Sequence, residues 1–266
     1  MRCTAHSLYS SPPVDFPTPA QVSEFYTRGL FVTEPLFSVR EIETLRKASH
    51  SRYQSHLNQK HAGEGSNQEM IQARLRPFLP SVHLESAAVA AFCKHPTFVQ
   101  LARKLIGDDA DLAWNQALLK FNEPTTSFHT RFPFHQDGKF ALLNDTTTGF
   151  ACYIALNELT VENGTLEFAA DAHHYLLDHT WSEKYHWWSC DVTEYNIVQG
   201  ELKPGQMVVY HRMTPHGSTP NHTQSAREAF LISFAPPDLR IQETNEPFGD
   251  GVPILRDGEV VSRDAT

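Results

Sequence analysis

Apolar residues in the N-terminal part of the chain recur at the three- and four-residue spacing of amphipathic helices. Thr18, with a proline directly after it, is typical of an N-cap, and Gly29 is expected to end that helix. Ser38 and Glu41 match a capping box, which predicts a second amphipathic helix running towards Tyr53. Two shorter helices are predicted over Glu85–Lys94 and Pro96–Ile106.

From residue 111 onward the pattern changes to the two-residue alternation of β-strands. The first strand is predicted over Asp111–Asn122, with these residues on one face: Trp114, Gln116, Leu118 and Lys120. Further strands are predicted over Phe150–Leu156, Thr165–Ala169, Gln206–His211 and Ala229–Phe234. Turn signals such as Asn163-Gly164 separate the strands, without long helices between them. The sequence therefore predicts a mainly β fold with flanking helices, an antiparallel barrel or double-sheet jelly roll.

The chain is expected to form a single domain over residues 1–266. A mostly helical part, 1–110, precedes the jelly-roll core, 111–240, and a C-terminal tail, 241–266, follows it. Within the core, the stretch 171–199 is long and rich in aromatic residues and histidine. Because long loops in compact domains are often lids, we expect this stretch to cover a substrate.

Composition and charge narrow the range of partners. The chain has 22 Lys and Arg against 31 Asp and Glu, and its formal net charge is -9. This acidic balance argues against nucleic acid or an anionic membrane and favours a small-molecule partner. The four cysteines form no C-x-x-C pair, and no segment resembles a signal peptide or a membrane span, so we expect a cytoplasmic protein. The oligomeric state is not indicated.

The run of residues before Gly138 contains the first candidate site. His135 and Asp137 are alternate residues, so in an extended chain both side chains point to one face and can reach one metal ion. His216, in a Pro-His-Gly-Ser turn after a predicted strand, is the third candidate ligand. Two histidines and one carboxylate leave coordination positions open, as used for Fe(II) with a bidentate cosubstrate and O2. Histidines that could replace His216 are His129, His173, His174, His211 and His222.

A second candidate group would bind the far end of such a cosubstrate. A dicarboxylate such as 2-oxoglutarate needs a fixed cation, and the planar guanidinium of arginine matches a carboxylate bidentately. Arg227 stands at the entry to the predicted strand Ala229–Phe234, so its side chain can point towards His216 if the neighbouring strands pair. Lys120 lies on a strand face beside Trp114, and the pattern leaves both an inward and a solvated position open.

These residues form an ordered set of motifs that resembles the phytanoyl-CoA dioxygenase family of Fe(II)/2-oxoglutarate-dependent oxygenases. The resemblance covers residues 16–235. Its motifs are, in order, Lys120, His135-Gln136-Asp137, Glu162-Asn163-Gly164-Thr165-Leu166, Pro204-Gly205-Gln206, His216-Gly217-Ser218-Thr219-Pro220-Asn221 and Arg227. The chain departs from the family after the Asn-Gly turn, where Ala170-Asp171-Ala172-His173 replaces the usual Pro-Gly-Ser-His. This departure leaves the substrate open.

The resemblance implies a fold, a metal site and an activity. The implied fold is a double-stranded β-helix, the cupin-like jelly roll. The implied iron ligands are His135, Asp137 and His216, with no catalytic residue beyond them. The implied enzyme is a dioxygenase, and the acidic chain with its aromatic lid favours a secondary-metabolite or amino-acid-like substrate. The enzyme consumes 2-oxoglutarate and O2, releases succinate and CO2, and hydroxylates an unactivated C–H bond of a small molecule.

The resemblance also implies which residues hold the cosubstrate. Arg227 would bind the far carboxylate of 2-oxoglutarate, with Ser218 beside it. Lys120 and Tyr153 align with positions that contact the cosubstrate in members of the family. Candidate substrate contacts are Phe134 and Trp187.

Several other reactions and roles stay open beside hydroxylation. Desaturation or cyclisation would use the same residues. A cupin-like binding module would hold a metal or small molecule without turnover, and a metal-dependent hydrolase or isomerase would use the ligands as a Lewis acid. Arg227 discriminates, because a binding module has no need of a cation for a second carboxylate. A hydrolase should offer a separate general base, for which the sequence shows no clear candidate.

Overall fold

The computed structural model describes residues 9–61, 76–122, 130–140, 149–183, 185, 187–241 and 244–261. Within these residues, the α-helices are α1 (Pro19–Arg28), α2 (Val39–His61), α3 (Ala87–Phe92) and α4 (Pro96–Leu105). Short 3-10 helices lie at Val82–Leu84 and Asp137–Phe140. All four helices were predicted, and α2 extends further than the sequence pattern indicated.

The predicted helix signals form the expected contacts. The Thr18 hydroxyl accepts from the Gln21 backbone N–H at 3.2 Å, and the Gln21 side chain accepts from the Thr18 N–H at 2.9 Å. Gly29 ends α1 in the left-handed conformation, with φ 81°. Ser38 and Glu41 form the second capping box, at 2.7 Å and 3.3 Å, and begin α2. Local sequence therefore determines where these two helices begin.

The strands are β1 (Leu30–Val32), β2 (Leu79–Pro80), β3 (Ala110–Lys120), β4 (Phe132–His135), β5 (Phe150–Ala155), β6 (Leu166–Ala170), β7 (His179–Ser182), β8 (Trp187–Cys190), β9 (Asn196–Gln199), β10 (Met207–His211), β11 (His216–Ser218), β12 (Arg227–Ala235), β13 (Val252–Arg256) and β14 (Glu259–Val260). A large sheet has the order β1-β10-β5-β12-β3-β13-β14, and β2 also pairs with β3. A smaller sheet has the order β4-β11-β6-β9, and β7 pairs with β8. The pairs are antiparallel, so the predicted double-sheet jelly roll is confirmed.

The large sheet is apolar on both sides because each side is covered. Its helix face packs against the four helices and includes Phe150, Cys152, Ile154, Met207, Val209, Phe230, Ile232 and Phe234. Its inner face packs against the smaller sheet and includes Ala151, Tyr153, Ala155, Val208, Tyr210, Ala229 and Leu231. The predicted alternation along β3 is confirmed, since Leu118 packs with the inner face and Leu119 with the helix face. The candidate site lies between the two sheets.

Besides the short strands β1, β2, β4 and β11, two regions contain strands that the sequence pattern did not predict. Within the stretch 171–199, β7 and β8 form a hairpin, and β9 pairs with β6. Near the C-terminus, β13 pairs with β3 and turns into β14 through Asp257 and Gly258, both at positive φ. The described helices include none that combines the length and apolar character of a membrane span.

Candidate active site

The pairing of β4 with β11 places His135 directly opposite His216. The register then shifts, because Ser218 pairs with Phe132 and β4 carries one extra residue between the two pairs. Gly217 lies against this bulge, and a Cβ there would come within 2.8 Å of the Phe132 carbonyl oxygen. The glycine of the Pro-His-Gly-Ser turn is therefore needed for the close approach of the two strands.

Asp137 completes a compact group of ligands. It begins the 3-10 helix one residue beyond the end of β4, and its Oδ1 lies 3.9 Å from His135 Nε2 and 3.8 Å from His216 Nε2. The three ligand atoms lie within 4.8 Å of one another, and all three residues are buried. Among the described residues this is the group with the spacing of a metal site. One metal ion can contact all three side chains.

Backbone carbonyls fix the orientation of both imidazoles. His135 Nδ1 lies 3.0 Å from the Pro133 oxygen, and His216 Nδ1 lies 3.0 Å from the Thr214 oxygen. Because a carbonyl only accepts, each Nδ1 carries the proton and donates it. Each Nε2 then keeps its lone pair for a metal, and the second hydrogen bond holds the ring in place.

Burial shifts the pKa values of these ligand residues. It raises the pKa of the Asp137 carboxyl, an effect that His216 and Arg212 oppose. It lowers the pKa of His135, and the neighbouring His216 lowers that pKa further. Asp137 Oδ2 is buried and has no hydrogen-bond partner among the described residues. Two imidazole nitrogens and a buried carboxylate fit a divalent transition metal, whose charge would stabilise the carboxylate.

The alternative histidines lie elsewhere, where the structure describes them. His211 ends β10, accepts from the Met213 backbone N–H at 3.1 Å, and packs on Phe25 at 5.5 Å between ring centroids. His173 packs against His211 at 5.3 Å. The two exposed alternatives are His174 and His222. His129 lies outside the described residues.

Two buried cations face each other next to the ligand group. β12 pairs with β3 so that Arg227 lies directly opposite Lys120. Lys120 is 0% exposed and Arg227 is 3% exposed. The inward position of Lys120, which the sequence left open, is thereby established. Arg227 donates to the Leu118 oxygen at 3.2 Å, while its Nε has no partner among the described residues.

Lys120 connects the cations to the strand that carries His216. Its Nζ donates to Ser218 Oγ and to the Thr219 carbonyl, both at 2.6 Å. Ser218 follows His216 by two residues on β11, and alternate residues of a strand are about 7 Å apart. Burial lowers the pKa of Lys120 strongly, and the neighbouring Arg227 lowers it further. An anion bound at this point would offset both effects.

The Asn-Gly turn and the loop after β11 support Lys120. Gly164 has φ 86°, and a Cβ there would come within 2.7 Å of Lys120 Cδ. Asn221 Nδ2 donates to the backbone oxygens of Lys120 and Ser225 at 2.9 and 2.8 Å. These residues belong to the motifs that carry the family resemblance. Their structural role is to hold one buried ammonium in place.

Two tyrosines on the inner face end in unpartnered hydroxyls. Tyr153 and Tyr210 are fully buried, and neither hydroxyl has a hydrogen-bond partner among the described residues. The Arg227 guanidinium carbon lies 5.9 Å from the Tyr153 ring centroid. The Tyr210 ring packs against His216 at 4.9 Å. Buried hydroxyls are normally hydrogen-bonded, so both point to a ligand that this pocket accepts.

Gln136 links the ligand strand to the predicted lid. Its amide nitrogen donates to the oxygens of Tyr175 at 2.9 Å and Met213 at 2.6 Å, and its amide oxygen accepts from the Leu177 N–H at 2.7 Å. Its own N–H donates to His179 Nε2 at 3.1 Å. The residue between the two metal-ligand candidates therefore fastens the start of the stretch 171–199.

Aromatic rings surround the ligand group. Trp187, a predicted substrate contact, lies with its ring centroid 6.3 Å from that of His135. Phe132 lies closer to His135, at 4.8 Å, and packs against Trp187 at 5.1 Å. Phe134, the other predicted substrate contact, is half-buried on β4. Their roles towards a substrate stay predictions.

Sequence reasoning missed Phe132, Gln136 and Tyr210. Gln136 and Phe132 lie within the run that the sequence singled out, so position in the motif could have drawn attention to them. Tyr210 lies in an apolar strand, where a tyrosine is typical of ordinary core. Its contact with His216 depends on how the two sheets pack, which no local pattern reveals.

Comparison with known proteins identifies a family that agrees with the geometry of the His–Asp–His group. The sequence model of the phytanoyl-CoA dioxygenase (PhyH) family matches residues 25–229. A probable phytanoyl-CoA dioxygenase of Caenorhabditis elegans is 26% identical over 158 residues, covering 56% of this chain and 51% of the relative. The chain thus spans about half the length of this curated relative.

Solved structures share the fold. The non-haem, α-ketoglutarate-dependent carbocyclase SnoK from nogalamycin biosynthesis is 17% identical, with a TM-score of 0.70, over 91% of this chain and 98% of that chain. EctD from S. alaskensis, solved with 2-oxoglutarate and 5-hydroxyectoine, is 21% identical, with a TM-score of 0.65, over 87% and 79%. EvdO2 from Micromonospora carbonacea var. aurantiaca, solved with 2-oxoglutarate, is 22% identical, with a TM-score of 0.61, over 87% and 96%.

Proposed function

Since the chain belongs to the phytanoyl-CoA dioxygenase family, we propose that it is a non-haem Fe(II), 2-oxoglutarate-dependent oxygenase. In its specific form, the proposal is hydroxylation of an unactivated C–H bond of a small molecule. The observation that carries it is the combination of a His–Asp–His group with two buried cations on the neighbouring part of the pocket. A metal ion alone would not need the two cations. A dicarboxylate that chelates the metal needs the metal at one end and the cations at the other.

The proposed metal ligands are His135 Nε2, His216 Nε2 and one oxygen of Asp137. The carbonyl-bound Nδ1 atoms carry the ring protons and leave both Nε2 atoms aimed at the metal. When bound, Fe(II) would supply O2 activation coupled to the oxidation of 2-oxoglutarate to succinate and CO2, with one oxygen atom delivered to the substrate. Three protein ligands leave the remaining positions for cosubstrate and O2.

The proposed cosubstrate site extends from the ligand group towards Arg227. The metal would take the 2-oxo acid end, and the far carboxylate would lie between Arg227 and Lys120 with the Ser218 hydroxyl beside it. The Arg227 Nε, which lacks a partner within the described part of the chain, is available for one of these charge-assisted hydrogen bonds. The Tyr153 hydroxyl, unpartnered in the same residues, supplies a further donor. The distance of about 7 Å between alternate residues of β11 suits a five-carbon dicarboxylate.

The surrounding residues exclude water from the site. Phe168 and Tyr210 pack on His216 at 6.2 and 4.9 Å, and Trp187 lies edge-on to His135. Gln136 fastens the stretch 171–199 beside them. Low water access strengthens the electrostatic hold on the cosubstrate and limits side reactions. We propose that this stretch acts as the lid.

Arg227 and Lys120 also separate the oxygenase proposal from its rivals. A cupin-like binding module or a metal-dependent hydrolase would leave two buried, facing cations without a function. Such an arrangement is destabilising unless an anion compensates it. Desaturation and cyclisation use the same cosubstrate chemistry and are separated from hydroxylation by the product alone.

The direct test is turnover of the cosubstrate. Purified protein with Fe(II), ascorbate, O2 and 2-oxoglutarate should form succinate, and His216→Ala should form at least tenfold less. His174→Ala, which changes an exposed histidine outside the ligand group, serves as the control. Equal succinate formation by wild type and His216→Ala, or none by either iron-loaded protein, contradicts the proposal. With an accepted substrate, ¹⁸O₂ labelling of the product then distinguishes hydroxylation from desaturation or cyclisation.

A further inference from the structure

A third cation lies beside the ligand group, outside the pair proposed for the cosubstrate. The Arg76 guanidinium carbon lies 4.4 Å from the Phe132 ring centroid. The same phenyl ring packs edge-on against His135 at 4.8 Å and against Trp187 at 5.1 Å. One aromatic ring therefore contacts both the Arg76 guanidinium and a proposed metal ligand.

The nearby charges leave Arg76 without a carboxylate. Arg131 lies 3.6 Å from Glu167, which supplies the acidic partner in this part of the site. Arg76 donates to the Arg131 backbone oxygen at 3.4 Å and forms no ion pair with any described carboxylate. Burial, together with the smaller effect of the neighbouring Arg227, lowers the pKa of Arg76 to about 10. At neutral pH its guanidinium keeps its charge.

The proposed cosubstrate does not account for this charge. 2-Oxoglutarate has two carboxylates, one for the metal and one for Arg227 and Lys120. Arg76 lies over the Phe132 ring, which packs against Trp187, the predicted substrate contact. A charged guanidinium held over an aromatic face and close to other cations is stabilised by an added anion.

We propose that Arg76 binds a carboxylate of the substrate, so that the substrate of this enzyme is an organic acid. The inference rests on the proposed function, because it takes the cosubstrate to occupy Lys120 and Arg227. The planar fork of arginine binds a carboxylate bidentately, which fixes the direction of the substrate as well as its charge. The substrate chain then lies along Phe132 and Trp187. The position to be oxidised is the one that this geometry brings to the metal, a short distance from the carboxylate.

Matched pairs of acids and amides test this inference while the substrate itself is unidentified. The probes are hexanoate with hexanamide, phenylacetate with phenylacetamide, and indole-3-acetate with indole-3-acetamide. Each is titrated into the anaerobic Fe(II)–2-oxoglutarate protein, with binding measured by calorimetry and by the change in the visible charge-transfer band. Wild type should bind at least one acid tenfold more tightly than its amide. Arg76→Met should reduce that preference to less than twofold.

Two further variants and the charge-transfer band separate failure of this inference from failure of the proposed function. Arg76→Lys keeps the charge and should keep part of the preference, and Arg40→Met, an exposed arginine on α2, should keep all of it. No preference for acids in wild type, or an unchanged preference in Arg76→Met, overturns the inference while the band shows that the proposed function stands. A tenfold loss of 2-oxoglutarate affinity in Arg76→Met assigns the residue to the cosubstrate and also overturns the inference. Absence of the band in wild type overturns the proposed function itself.

Discussion

The helix face and the inner face of the large sheet come from the same strands but bury different chemistry. On the helix face, Phe98 of α4 is fully buried and packs against Phe37, Phe92 and Phe234 at 5.4 to 5.7 Å. On the inner face, the same strands present Tyr153, Tyr210 and Arg227, each with a buried polar atom that has no partner among the described residues.

This difference suggests a division of roles, in which the helix face stabilises the fold and the inner face binds ligands. An unsatisfied buried polar group costs about 1–3 kcal/mol, so the inner face is less stable than it could be. The helix face contributes mainly apolar burial, at about 25 cal/mol per Å². On the helices that cover it, the buried hydroxyls of Ser49 and Thr97 also lack a partner among the described residues. We infer that the inner face keeps its unpartnered groups for a ligand, and that the helix face supplies the stability that allows this. The following predictions test that division.

Phe98→Ala should have the largest effect on stability and none on the site. Removing a fully buried phenyl ring costs about 3–5 kcal/mol, through lost transfer free energy and the cavity left behind. Urea unfolding measures the loss, and calorimetry on the folded variant should give the wild-type affinity for 2-oxoglutarate. Phe78→Ala, at a side chain that is 64% exposed, should change stability by less than about 0.5 kcal/mol. A strong change in cosubstrate affinity for Phe98→Ala would argue against the division.

Arg227→Ala should affect cosubstrate binding and not the stability of the fold. Loss of the charge-assisted hydrogen bonds should weaken 2-oxoglutarate binding by about 1.5–3 kcal/mol, on the order of 10- to 100-fold, while iron stays bound. Anaerobic titration measures the affinity, and metal analysis after gel filtration measures the iron content. Arg28→Ala, at a partly exposed position on α1, is the control. Wild-type cosubstrate affinity in Arg227→Ala would remove the assignment of this residue.

Acid should weaken the helical side through Glu41. Burial alone would raise the pKa of this carboxyl, but hydrogen bonds from Ser38 and Ser10 outweigh it and lower the pKa to about 2. A lowered pKa stabilises the fold above the ordinary value of 4.5, and that contribution is lost as pH falls towards 2. Wild type should therefore lose about 2 kcal/mol more than Glu41→Gln between pH 6 and pH 3. Urea unfolding at both pH values measures this, and parallel losses in the two proteins would contradict it.

The smallest effect is expected for Tyr210→Phe. Removing a buried hydroxyl that has no partner in the described ranges should leave the stability of the ligand-free protein unchanged or raise it by up to about 1 kcal/mol. Asn115→Ala on the helix face gives the contrast, because Asn115 bonds to the His83 backbone and ring at 3.2 and 2.7 Å. That variant should lose about 1–3 kcal/mol. A similar loss in both variants, measured by urea unfolding, would show that the inner face is satisfied like the helix face.

Local sequence predicted the parts of the structure that depend on neighbouring residues. The caps at Thr18 and Ser38 and the alternation along β3 are such cases. The proximity of His135 and Asp137 also follows from their spacing. Asp257-Gly258 is likewise a local hairpin signal, although the strands on either side of it were not predicted.

Other features depend on packing between distant segments. The alternation assigned Lys120 to one face of β3 but did not show whether that face is enclosed. Its enclosure depends on the smaller sheet, which covers the inner face. The hairpin of β7 and β8 lacks apolar alternation because it is largely half-exposed. The contacts of Arg76 and Gln136 join segments far apart in the chain, so no local pattern could reveal them.

The most direct measurement of the central claim is anaerobic addition of Fe(II) and 2-oxoglutarate to the metal-free protein. We expect a weak visible charge-transfer band, the signature of a 2-oxo acid chelated to Fe(II), in wild type and in folded Phe98→Ala. We expect no band in His216→Ala. The absence of a band in folded, iron-loaded wild type, or an unchanged band in His216→Ala, would contradict the assignment of the site.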